Sequence, residues 1–174
     1  MPSEGNGSEE MQSRIIDVPI ESLPFVDEHF IEIAAKHNEV WDALIRAVTV
    51  MGESRKGAPI SKALGCEDRE IEGATGEIGS KIPRFVVTRS VKPAVLALMG
   101  QHRFAQYALI FTVLEKPSGL MLLSAQTRAV FPGRKGRLYR GLVIGTHGHV
   151  IVTTSLLRQV RRRAERIHAR PARA

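Results

Sequence analysis

The chain has 174 residues and a mass of 19.2 kDa, with 43% hydrophobic residues and a net charge of +7. That length supports one domain with a real core, and its apolar runs are too short for a transmembrane helix. A single cysteine, Cys66, excludes an internal disulfide framework, and the acidic start (Glu4, Glu9, Glu10) has no signal-peptide pattern, so a cytoplasmic protein is expected.

Residues 1–14 are rich in Gly, Ser and Glu and read as disordered; residues 15–170 read as one domain, and 171–174 as a disordered tail. The stretch from Ile15 to Phe25 is too irregular to assign. From Val26 to Ala34 the chain alternates, with His29, Ile31 and Ile33 on one side and Phe30 and Glu32 on the other, which predicts a strand. Asn38 can then cap a helix carrying Val40, Trp41, Leu44, Ile45 and Val48 at helical spacing, ending at Met51-Gly52. Residues 53–83 are loop-like, with a short helix near Pro59–Leu64 and a short strand near Glu70–Gly73 as the expectation.

From Pro83 the apolar period becomes two. Strands are predicted at Arg84–Val91, Ala94–Met99, Phe104–Glu115 and Leu120–Phe131, and Lys116-Pro-Ser-Gly119 is a hairpin turn between the last two. Short connections make these strands antiparallel neighbours. Pro132-Gly133 opens a helical pattern through Leu138 and Leu142, interrupted by Gly145-Thr-His147-Gly148-His149. Val152, Leu156, Val160, Ala164 and Ile167 then form an apolar stripe. From Arg134 onward there are eleven Lys/Arg and one acid, a balance of +10, so residues 1–133 stand at −3 against the whole-chain +7.

The block Val26-Asp-Glu-His-Phe-Ile-Glu-Ile-Ala-Ala with Glu39-Val-Trp-Asp-Ala-Leu44 resembles the opening strand and helix of the START-like (SRPBCC) superfamily. The later blocks Leu98–Leu109, Thr127–Gly133 and Gly136–Arg140 resemble an uncharacterised bacterial branch of it, and the resemblance spans about residues 25–168. It departs at Ala35-Lys36-His37, where members commonly carry a proline. The resemblance implies an α+β helix-grip fold: a curved antiparallel sheet wrapped around a long C-terminal helix, with a cavity between them. It implies no particular reaction.

His102, His147 and His149 fall near that expected cavity, and His29, His37 and His168 elsewhere. No metal site is expected, because His147-Gly-His149 lacks zinc spacing and a Cys or acidic partner. No catalytic residue or cofactor is assigned: Gly-x-Ser-x-Gly and phosphate-loop signatures are missing, and Cys66 reads as a buried, inert thiol. The C-terminal arginines read as a solvated helix face. Aromatics, at 5%, do not interleave with them, which argues against specific nucleic-acid binding. The apolar stripe belongs on the sheet, which argues against stable membrane insertion.

The expectation is therefore a non-catalytic binder of a hydrophobic or amphipathic, lipid- or polyketide-like molecule between sheet and helix. The polar groups expected to orient the ligand are His102, Tyr107, Gln126, Arg128, Tyr139 and His147. The alternative is a cyclase- or aromatase-type enzyme in which a pocket histidine or tyrosine moves a proton. Neither strand face is plainly polar, so a homodimer through the second face is also entertained.

Overall fold

The computed structural model describes residues 19–53, 73–102, 105–133 and 148–170. Cys66, Tyr139, His147, the short helix near 59–64 and the helical pattern through Leu138 and Leu142 lie outside these residues, as do both termini. The side chains of His102 and His149 lie outside them too.

Strand β1 (Phe25–Ile33) is followed by helix α1 (His37–Glu53), then β2 (Lys81–Ile82), β3 (Phe85–Val91), β4 (Val95–His102), β5 (Ala105–Glu115), β6 (Met121–Val130) and helix α2 (Gly148–His168). The strands form one antiparallel sheet in the order β1-β6-β5-β4-β3-β2. The first strand thus pairs with the last. The hairpin turn falls at Lys116–Gly119: the Lys116 N–H donates to the Leu120 carbonyl at 2.9 Å, and Gly119 takes a φ of 80° that favours glycine. Two details differ from the sequence reading. Lys81–Ile82 adds a short strand, and helix α1 runs to Glu53, one residue past the expected end; of the strand expected near Glu70–Gly73, residues 70–72 lie outside the described residues.

Both helices lie on one face of the sheet, the inner face. Ile33, Leu44, Val48, Phe111, Leu123 and Leu157 meet there in the main core, each with essentially no exposure. Every such side chain contributes about 1.5–3 kcal/mol of transfer free energy. Helix α1 starts one residue before Asn38, and the carboxylate of Glu39 accepts the Lys36 N–H at 2.7 Å. This is the acidic half of a capping box, working without a capping side chain.

The buried stripe of α2 is Thr153, Leu156, Leu157, Val160 and Ala164, while Val152 and Ile167 are each 39% exposed. It is rotated from the predicted stripe because α2 packs in the corner between the sheet and α1, which draws Thr153 and Leu157 inward.

The outer face of the sheet carries a smaller core. A short 3-10 turn, Ile20–Ser22, brings Ile20 and Leu23 over Ala97, Met99 and Ala108. The irregular stretch before β1 is thus a strap over part of the second sheet face. Phe30, Val91 and Leu114 beyond it are exposed.

Candidate functional site

The inner face changes character along its length. Toward the hairpin end, Ile31, Ile33, Met121, Leu123 and Val113 pack closely under the helices. Toward the other end, Asp27 lies opposite Thr127, Thr127 opposite Leu109, and Tyr107 opposite Ala129 and Gly100. Polar groups from three strands therefore share one half-buried end. The last turn of α2 is fixed at the hairpin end, where His168 Nδ1 lies 2.9 Å from Glu39 Oε2. Its 21 residues span about 30 Å, so its first turn lies toward the polar end.

A β-bulge between Phe25 and Asp27 sets the local geometry of β1. Phe25 pairs with Arg128 on the outer face, while Asp27, His29, Ile31 and Ile33 keep to the inner face. His29 Nε2 lies 3.3 Å from Asp27 Oδ2, with the two side chains 27% and 21% exposed. When Nε2 carries the hydrogen it donates to the carboxylate, which fixes the ring and leaves Nδ1 as the basic nitrogen. Thr127 Oγ1 is buried and has no hydrogen-bond partner, a state that is costly for a hydroxyl.

Tyr107 is placed by what Gly100 lacks. A Cβ on Gly100 would lie 2.3 Å from the Arg84 carbonyl oxygen and 2.5 Å from the tyrosine ring. The bare backbone lets the ring lie across β4, edge-on to Phe85 with centroids 5.4 Å apart. The Tyr107 hydroxyl donates to the Arg84 carbonyl at 3.3 Å. Arg84 holds a φ of 73°, an uncommon conformation for a residue with a side chain.

Of the six residues expected to line the site, only Tyr107 has a described side chain on the inner face. His102 ends β4 opposite Ala105, and Tyr139 and His147 are outside the described residues. Gln126 and Arg128 are on the outer face, a correction to the expectation. Arg128 donates to the Leu23 carbonyl at 2.9 Å and to Gln126 Oε1 at 2.7 Å, which anchors the strap. His29, expected away from the cavity, belongs on the inner face, and its alternation with Ile31 and Ile33 was the signal for that.

A separate open cleft of about 420 Å³ lies at the hairpin end, lined by Lys36, His37, Gly119, Met121 and His168 among others. His37 Nε2 is buried there without a partner. Among the described residues, no group of three or more His, Cys, Asp or Glu could hold a metal ion, and no helix is long and apolar enough to cross a membrane.

Comparison with solved structures bears on the architecture. A truncated norcoclaurine synthase from Thalictrum flavum matches at a TM-score of 0.52 and 11% identity, over 86% of this chain and 99% of that one. The fold is START-like, a helix grip. A conserved protein from Geobacillus kaustophilus aligns over 81% of this chain and 95% of its own, at 13% identity and a TM-score of 0.48. No family model matches the sequence, and no curated protein does. At these identities the helix-grip likeness concerns the fold alone.

Proposed function

We propose that this helix-grip protein binds a hydrophobic or amphipathic small molecule between the inner sheet face and α2, with the ligand's polar group at Asp27, His29, Tyr107 and Thr127. The observation that carries this reading is the buried Thr127 hydroxyl without a partner, at the boundary between aliphatic and polar rows. A ligand hydroxyl, carbonyl or amine there would satisfy it, while the apolar body rests on Leu109 and its neighbours. His102, Tyr139 and His147 stay in the proposal as further polar contacts. Native mass spectrometry of protein purified from its own host tests it. A bound species of discrete mass, reduced in Thr127→Val, supports the reading; bare protein in every preparation counts against it.

The Asp27–His29 contact favours a second reading, proton transfer by a cyclase-type enzyme. A histidine fixed by a carboxylate can take a proton at one ligand position and return it at another. Norcoclaurine synthase is a synthase on the same fold, but the likeness carries no chemistry to this chain. In this reading His29→Gln abolishes solvent deuterium exchange into bound ligand and leaves the ligand bound.

A further inference from the structure

We propose that the outward face of α2 docks on the surface of an anionic phospholipid bilayer. Opposite its buried stripe, Arg158, Arg162 and Arg166 are exposed and stand one turn apart, with Arg163 and Arg170 beside them. Arg158 to Arg170 spans about 18 Å of helix axis. The one acid in this helix, Glu165, is engaged by Arg161 at 3.0 Å. Glu39, at the start of the neighbouring α1, is engaged by His168. Among the described residues, Arg158, Arg162, Arg163 and Arg170 pair with no carboxylate.

The same face is not purely polar. Ile151, in line with the arginines, is 68% exposed, and its neighbour Val152 is 39% exposed. Aliphatic side chains gain nothing from a sugar–phosphate backbone, but they gain from burial among acyl chains beneath lipid headgroups. Guanidinium groups meet lipid phosphates and carboxylates with paired hydrogen bonds. Residues 148–170 contain no Phe, Tyr or Trp on which nucleic-acid bases could stack. Packed against both the sheet and α1, α2 offers one side only. That shape suits a planar surface better than a DNA groove, which a recognition helix must enter. The charge row and the exposed aliphatics are present whatever the interior binds, so the inference does not depend on the proposed ligand.

Sedimentation of the full chain with vesicles tests it. Vesicles of phosphatidylcholine with about 30 mol% phosphatidylserine should capture the protein, and pure phosphatidylcholine should not. Salt at about 0.5 M, where the Debye length is about 4 Å, should release it. Combined Arg158→Gln, Arg162→Gln and Arg166→Gln should lower partitioning about a hundredfold, at about fivefold per arginine. These positions are exposed, and an unchanged thermal transition confirms that the variant is folded. Ile151→Ser should weaken binding severalfold with the charge intact. Absence of binding to anionic vesicles, equal binding by the folded triple variant, or displacement from vesicles by a random DNA duplex would each overturn the proposal.

Discussion

Thr127 separates a stability role from a binding role more cleanly than any other inner-face residue. Replacing its unpartnered hydroxyl with a methyl, in Thr127→Val, should leave folding stability unchanged or raise it by about 1 kcal/mol while weakening ligand retention; chemical denaturation and native mass spectrometry read the two effects. Gly100→Ala should lower both stability and ligand retention. Its new Cβ meets backbone at 2.3 Å, so a loss of about 1–3 kcal/mol is expected in denaturation, together with displacement of Tyr107. Arg128→Ala should cost about 1.5–3 kcal/mol by freeing the strap carbonyls, and it should leave ligand binding intact because its contacts are on the outer face. Gln126 and Arg128 show where single-residue reading fails. Both faces of β6 carry apolar neighbours, so alternation alone could not say which face holds the helix. The strap that holds Arg128, and through it Gln126, comes from the stretch before β1 that was too irregular to assign.

Among the elements, the two helices are joined at one end by a contact that titrates. The Lys36 N–H, and after it His168, hold the Glu39 carboxyl below its ordinary value of 4.5, with partial burial working against them. A lowered carboxyl value means that the contact stabilises the fold above about pH 4.5 and is lost as pH falls through the folded-state value. Glu39→Ala should therefore cost about 1 kcal/mol near neutrality, and the gap to the wild-type protein should close on acidification below that range, as followed by thermal melts. The strands from β3 to β6 were legible to within two or three residues, because period-two patterns and the Lys116–Gly119 turn are local signals. The rotation of the α2 stripe was not legible. It depends on packing against α1 and the sheet together, and that is a tertiary matter.

At the scale of the molecule, the order strand, helix, antiparallel strands, long helix was enough to anticipate the helix grip. A sheet with its helices on one face needs an apolar inner surface, and the sequence supplied it in β4, β5 and β6. The proposed site was legible only in part. Tyr107, expected as a ligand contact, lies on the inner face, while His29 was set aside although its alternation with Ile31 and Ile33 already pointed to the core side. Asp27 and Thr127 became visible only with the strand register, since their juxtaposition links residues 100 positions apart in sequence. The proposed amphipathic ligand lies between β5, β6 and α2 with its polar group at that register. Amide and side-chain NMR shifts during titration with 2-naphthol test this placement most directly. Saturable changes centred on His29, Tyr107, Leu109 and Thr127 are expected. Changes confined to Phe30 and Leu114 on the outer face, or none at saturating probe, would contradict it.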